Sequence, residues 1–324
     1  MASFKFNNVY ISDWQTIAGP LESDSKLKKV DFKVNDFYFG EKTFEQAEIK
    51  MQKTVIDAIL DKNNCKREDI DLIVGGDLLD QISATSYALA NSSIPFLGIY
   101  NACATFPESL IIGSMFLNNK VIKKVLGITS SHNLTAERQF RYPIEYGSPK
   151  PHTSTFTTTS AVSVLITNNP SNIKIESATI GKVVELGYKD ANNMGAVMAP
   201  AAANTLYEHL NDLKRNLNYY DLILTGDLGC IGSEIFKEYF YQAYNLKIKK
   251  HLDAGCELYL NSQDVYAGGS GPACLPLVLF SKLIVTGKYK KILIIGTGAL
   301  HSKTLVNQKQ PIPAIAHAVS LEVL

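Results

Sequence analysis

The chain repeats itself. Residues 71–79 read DLIVGGDLL and residues 221–229 read DLILTGDLG, each an apolar strand closed by Gly-Asp. KKVLGITSS (123–131) is answered by KKILIIGTG (290–298), and SAVSVLIT from Ser160 by HAVSLEVL from His317. All three pairs keep their order. Two copies of one strand pattern must fold alike, so the chain reads as two related halves, 1–168 and 169–324.

The segments between these strands say how the halves meet. ESLIIGSMFL and CLPLVLFSKLIV are apolar on nearly every face, whereas residues 43–60 carry a single apolar stripe at Phe44, Ala47, Met51, Val55 and Ala58. The first two predict buried helices and the third a half-exposed one. Thr43 with Gln46, and Thr105 with Glu108, have the spacing of capping boxes. Buried helices need a sheet on both sides, and strands alternating with helices imply largely parallel sheets. The expected architecture is α/β, a five-layered α/β/α/β/α body in which two sheets, one per half, enclose the central helices.

Composition removes several classes of function. With 46% hydrophobic and 19% charged residues the chain of 324 can bury a large core. A net charge of +1 from interspersed basic and acidic residues offers no face to nucleic acid. No signal peptide or membrane span is expected from MASFKFNNVYISDWQ or from LPLVLFSKLIV, which Lys282 interrupts. Cys65, Cys103, Cys230, Cys256 and Cys274 form no CxxC pair, and their odd number predicts free thiols in a reducing cytoplasm, with no zinc site.

In IPFLGIYNACATFPESLIIGSMF (94–116), Cys103 stands where a short apolar strand turns into an apolar helix. A thiol there faces the free N–H groups and positive end of the helix, which favour thiolate and stabilise an oxyanion. A small, buried hydrophobe at a tight turn is the competing explanation.

The architecture and this cysteine resemble the thiolase and ketoacyl-synthase superfamily. The segments GDLLDQ, TSSHNLTAERQFRYPIEYG, MGAVMAPAAANT, YDLILTGDL, YAGGSG and IPAIAHAV resemble, more narrowly, the stage V sporulation protein AD family of endospore-forming bacteria. In the superfamily the cysteine carries an acyl group and needs His, Asn or a second Cys beside it. The resemblance puts Gly268, Gly269 or Ser270 where the first partner belongs and Ala314 where the second cysteine belongs. His317, His132 and His251 are read as structural, so a non-catalytic protein is expected. The alternative is an acyltransferase or ketoacyl-synthase-like enzyme using Cys103.

Between the halves, residues 131–158 read as a long ordered loop rich in Arg, Tyr and Pro. Arg138 and Arg141 suit bidentate carboxylate recognition, and Phe140, Tyr142 and Tyr146 offer flat faces, a set fit for a planar dianion. A dimer contact accounts for the same residues equally well. The family resemblance implies dipicolinic acid, with or without calcium, as ligand. It further implies a homodimer with membrane proteins of the SpoVA apparatus as partners, and a cytoplasmic location peripheral to the forespore or spore inner membrane. The expected ligand-binding residues are Cys103, His132, Asn133, Arg138, Arg141, Gly269, Ser270 and His317, with no cofactor and no metal. Asp77 and Asp227, ending equivalent strands, are expected to hold turns or cap helices. YAGGSGPA (266–273) is an anion cradle at most, and the charged run 22–31 a solvated loop.

Overall fold

In a computed structural model of the chain, residues 2–140 and 150–324 are described. The three repeated segments become equivalent strands. In the first half, β1 (Tyr10–Ala18), β2 (Leu72–Gly76), β3 (Phe96–Gly98), β4 (Lys124–Ser131) and β5 (Ser160–Thr167) lie in the order β3-β2-β4-β5-β1. In the second, β6 (Ile173–Ile180), β7 (Leu222–Thr225), β8 (His251–Asp253), β9 (Lys291–Ala299) and β10 (Ala314–Val323) lie in the order β8-β7-β9-β10-β6. The senses match as well. The first three strands of each sheet are mutually parallel, and the next two reverse direction in turn.

One feature departs from the expectation of two separate sheets. β1 and β6 pair antiparallel through Tyr10↔Lys174 and Ile11↔Ile173, so the halves share one continuous path of strands. Both strands are last in their own half-sheet, and pairing them satisfies backbone groups that an interior edge would leave bare.

Helices complete the layers. α1 (Phe44–Lys62) turns its apolar stripe onto the first sheet, burying Met51, Val55, Ile56 and Ile59 with Leu126 and Leu165. α4 (Met194–Asp212) covers the second sheet with Ala199, Ala202 and Leu206 against Ile295 and Ala316. Between the sheets runs α2 (Thr105–Asn118), which touches strands of both halves, alongside the helix begun by α5 (Cys274–Val278). Their shared core joins Phe106, Leu110 and Ile111 to Leu275, Val278 and Phe280. Apolar surface all round these helices is what lets them occupy the middle layer.

At the helix starts the two predicted capping boxes part. The Gln46 N–H donates to Thr43 Oγ1 (3.2 Å), as expected. Thr105 instead donates to the Ala102 carbonyl (2.8 Å), and Glu108 accepts from Asn101, because a tight turn at 102–104 already precedes the helix. The predicted loop after β4 begins as a helix, α3 (Asn133–Phe140), since residues 133–140 hold no glycine or proline to stop it. In the charged run, Glu22 is buried, accepting from the Thr159 N–H (3.1 Å) and the Tyr259 hydroxyl, and burial lifts its pKa to about 7.

The cysteine expectation is corrected. Cys230 and Cys256 form a disulfide across 26 residues with their Cα atoms 4.8 Å apart, while Cys65, Cys103 and Cys274 are free. An odd count leaves three thiols over and does not prevent one pair; proximity in the fold decides it.

Candidate functional site

The backbone before α2 is built to present Cys103. After β3 the chain reaches Asn101, and Ala102 takes a left-handed conformation (φ +48°) that a non-glycine residue adopts at a cost. Residues 102–104 then form one 3-10 turn that runs into α2. Against it lies β9, where a Cβ at Gly298 would stand 2.8 Å from the Asn101 carbonyl oxygen, so only glycine lets the turn sit so close. The Asn101 amide donates to Glu108 (2.8 Å) and meets His317 Nε2 (3.0 Å), while the Gly181 N–H donates to His317 Nδ1 (3.1 Å). Burial lowers the His317 pKa to about 4, so the ring braces the turn as a neutral group.

Cys103 opens into a cavity of about 250 Å³. Leu78, Ala136, Phe140, Met194, Met198 and Leu300 form its apolar walls, and Thr155, Thr157, Ser270 and Gly271 supply polar groups beside the thiol. Two short strands set those polar groups in place: Gly269–Ser270 pairs in parallel with Phe156–Thr157, through Gly269↔Phe156 and Ser270↔Thr157. Thr155 donates to Ser270 Oγ (2.8 Å), which leaves the Ser270 proton available to a ligand. Gly271 has φ +108°, and a Cβ on it would lie 2.6 Å from Ser131 Oγ, so the position needs glycine on both grounds.

The electrostatics of Cys103 run against a thiolate. Solvent reaches the residue through the cavity, yet protein encloses the sulfur on the scale that sets its pKa. Burial pushes the thiol well above its ordinary range, the Asp227 carboxyl pushes the same way, and the Gly271 N–H pulls back. Asp227 is itself raised well above the carboxylate range by burial and then by Asp253, opposed by the Gly271 N–H, which lies near its oxygens but outside hydrogen-bond geometry. Asp253 accepts four hydrogen bonds, from Thr225 Oγ1 (2.7 Å) and the N–H groups of Leu228, Gly229 and Cys256, and burial still lifts its pKa to about 7.

Of the residues expected from sequence, the structure brings Cys103 and Ser270 together in the cavity. Gly269 packs behind it, with its carbonyl against Gly255 and its α-carbon facing Cys274. His317 stands behind the turn, outside the lining. His132 lies elsewhere, stacked on Phe44, with Nε2 bonded to the Phe37 carbonyl (2.8 Å) and Nδ1 accepting from Leu134, and burial lowers its pKa. The Asn133 backbone N–H donates to Thr159 (3.0 Å). Arg138 pairs with Glu45 (2.7 Å) over the Phe44 ring, and neither residue lines the cavity. Arg141, Tyr142 and Tyr146 lie outside the described residues.

Sequence reasoning passed over Gly271, Thr155, Glu137 and His301, and gave Asp227 only a turn or capping role. Glu137, with its ion pair to Lys150 (2.7 Å), stands at the cavity wall, as does His301 beside the Phe140 ring (centroids 5.4 Å apart). The glycine after Ser270 and the repeated Gly-Asp were visible signals; the others depend on how residues 150–158 return to the site.

The family model described as Stage V sporulation protein AD matches residues 2–322. A curated Bacillus subtilis protein named Stage V sporulation protein AD is 42% identical over 318 residues, covering 97% of this chain and 94% of that protein. Among solved structures, a variant of OleA from Xanthomonas campestris superposes with a TM-score of 0.62 at 16% identity, covering 98% of each chain. A 3-oxoacyl-(acyl carrier protein) synthase III from Xanthomonas oryzae gives 0.59 at 15%, covering 98% of this chain and 100% of that one. At such identities these structures show the fold, the five-layered thiolase-like one.

Proposed function

The chain belongs to the stage V sporulation protein AD family, and from that premise we propose that it is a non-catalytic dipicolinate-binding component of the SpoVA apparatus. It acts in uptake of dipicolinate, alone or with calcium, during sporulation and in its release on germination. One observation carries the reading: the cavity at Cys103 is lined by apolar walls and hydrogen-bond donors around a thiol held protonated, a setting that receives an anion and disfavours a nucleophile. Its volume of about 250 Å³ suits a single-ring acid. A buried dianion needs charge-assisted hydrogen bonds to replace its water. Ser270 and Gly271 in the lining offer such donors, and Lys150, which neutralises Glu137 at the wall (2.7 Å), supplies the nearby positive charge.

Calorimetric titration with dipicolinate tests this. Binding is expected, weakened by about 1–2 kcal/mol in Ser270→Ala and largely kept in Cys103→Ala. Absence of heat and of any thermal shift at millimolar dipicolinate rejects it. The enzymatic alternative draws on the presence of both Cys103 and His301 in the lining. Stoichiometric acylation of Cys103 by an acyl-CoA, read by intact mass and lost in His301→Ala, decides in its favour.

Two further parts of the reading concern assembly. A homodimer through β3 is supported by the exposure of Leu97 (42%) in that edge strand and of Tyr100 (48%) just after it. Scattering mass at micromolar concentration tests it, and a monomer rejects it. Attachment to the spore inner membrane proceeds through SpoVA partners, since no helix among the described residues is long and apolar enough to cross a membrane. Retention on vesicles carrying those partners, against bare vesicles, tests that.

A further inference from the structure

A second cavity, of about 340 Å³, lies at the other end of the second sheet from Cys103. Ile223, near the start of β7, is in its wall, and β7 runs parallel to β9, whose last residue, Ala299, lines the cavity at Cys103. Two helices stop beside it. α4 ends at Asp212, and the helix Gly229–Tyr244 is closed by Asn245 in a left-handed conformation (φ +54°), its N–H donating to the Tyr241 carbonyl (2.8 Å). Residues 246–250, LKIKK, then return to β8, tied to β7 where the Ile223 N–H donates to the Lys250 carbonyl (2.9 Å). Ile248 packs against the core of the second sheet, and the lysines on either side of it stay exposed.

Arg215, Lys247, Lys249 and Lys250 all line this cavity, and among the described residues no acidic side chain does. For a chain of net charge +1 that is a marked local excess. None of the three lysines enters an ion pair among the described residues: Lys250 Nζ donates to the Tyr220 carbonyl (3.1 Å) and Lys247 stands over the Tyr241 ring (4.9 Å), neither of which cancels a charge. Arg215 is held from one side, its Nη1 donating to the hydroxyls of Ser177 (3.1 Å), Tyr220 (2.8 Å) and Ser320 (3.0 Å). Glu176, 3.8 Å from Arg215, is shared with Lys291 (2.8 Å), and Asp221 accepts the N–H groups of Lys290 and Lys291 (2.9 Å each). The two helix ends contribute about half a negative charge each, which four cations overbalance. Asn211, Asn216 and Asn218 add side-chain amides, and Leu210, Leu217 and Ile223 an apolar wall.

We propose that this cavity binds a phosphate group, carried by a lipid headgroup or by a soluble phosphate ester. A monocarboxylate brings one charge and two oxygens to four cations; a phosphate monoester brings close to two charges and three acceptor oxygens, which lysine point charges and an arginine fork together can meet. The apolar wall then receives what the phosphate is attached to. The site stands apart from the reading of the Cys103 cavity, so Cys103→Ala is expected to leave it unchanged.

Calorimetric titration with inorganic pyrophosphate, and flotation with phosphatidylglycerol vesicles against phosphatidylcholine vesicles, test it on the full chain. Lys247→Gln/Lys249→Gln/Lys250→Gln, all at exposed positions, is expected to weaken binding at least about tenfold. Lys26→Gln/Lys28→Gln/Lys29→Gln removes the same charge elsewhere and is expected to stay within about twofold, since distant charges are screened. Asn211→Asp keeps every cation and is expected to weaken binding about fivefold by placing a carboxylate in the lining. Pyrophosphate heat with these losses assigns the site to a soluble ester, and flotation on phosphatidylglycerol alone with the same losses assigns it to a lipid headgroup. Absence of both signals, or equal losses in the two triple variants, overturns the proposal.

Discussion

Asp77 and Asp227 end equivalent strands in equivalent halves, and their surroundings have diverged. Asp77 holds its own turn: Oδ1 accepts from the Leu79 N–H (2.8 Å), and Oδ2 from the N–H (2.7 Å) and hydroxyl (2.6 Å) of Thr85. In the second half that work falls to Asp253, which gathers the N–H groups of Leu228 and Gly229 from the corresponding turn. Asp227 is left with two buried oxygens that meet no hydrogen-bond partner among the described residues. A second residue has taken over the structural task of the duplicated carboxyl. The expectation that both aspartates hold turns is right for the first half and wrong for the second.

The sharpest way to break this comparison is to remove each carboxyl and measure stability. Asp253→Ala strands four buried donors and Asp77→Ala three, so each is expected to lower unfolding free energy in urea by about 3–5 kcal/mol. Asp227→Ala is expected to change it by less than about 1 kcal/mol, since no hydrogen bond is lost. Equal losses at Asp77 and Asp227 would mean the two are still doing the same job.

The disulfide belongs to the second half alone and clamps the turn that Asp253 organises. Closing 26 residues, it restricts the unfolded chain by about 3.5 kcal/mol in the chain-entropy account. Cys256→Ser is expected to lose that much in non-reducing denaturation, whereas added reductant should cost the wild type a similar amount and the variant nothing.

Each half also buries an acid that ionises late, Glu22 in the first and Asp253 in the second, both at about 7. Unfolded, these groups release their protons near 4.5 and 3.8. Between those values and about 7 the native state holds protons the unfolded state has lost, so stability is full at the acid end and falls as pH rises. Chemical denaturation from pH 4.5 to 7.5 should show this decline, and Glu22→Gln should remove a share on the order of 2–3 kcal/mol. A slope unchanged by the substitution would place the titrating acid elsewhere, either Asp253 or Glu48 of the first half, which burial lifts to about 8.

The smallest effect concerns Arg138. Paired with Glu45 on the surface, it is expected to cost under about 1 kcal/mol of stability as Arg138→Ala and to leave dipicolinate affinity within about twofold. A tenfold loss of affinity would bring Arg138 into the site after all.

What was legible in the sequence was what period and repetition encode. Both half-sheets follow from the paired strands, and the middle layer from helices apolar on all sides. Cys103 was legible because its turn is local. The roles of Asp227 and Asp253 were not, since the motif is the same in both halves and the residue that distinguishes them arrives a whole helix later. Arg138 reads as a carboxylate ligand only until Glu45 is seen across from it. The burial of Glu22 depends on Tyr259, more than two hundred residues away, and a charged run gives no warning of that.

The antiparallel contact of β1 with β6, extended by Ala2–Lys5 against Ser177–Ile180, also fixes when the molecule can be finished. On a ribosome the first strands emerge early, but β5 and β6, their neighbours in the sheet, follow only after roughly ten to forty seconds of elongation at ordinary rates. Through that interval Ile17 has only the short strand at Phe32 beside it, and Ile11 and Trp14 have no strand at all, an apolar stretch open to a chaperone or a second nascent chain. The first half therefore closes from its far end. A chain halted just before β5 would carry the whole of α1 and α2 and still leave its own N-terminus without a place in the fold.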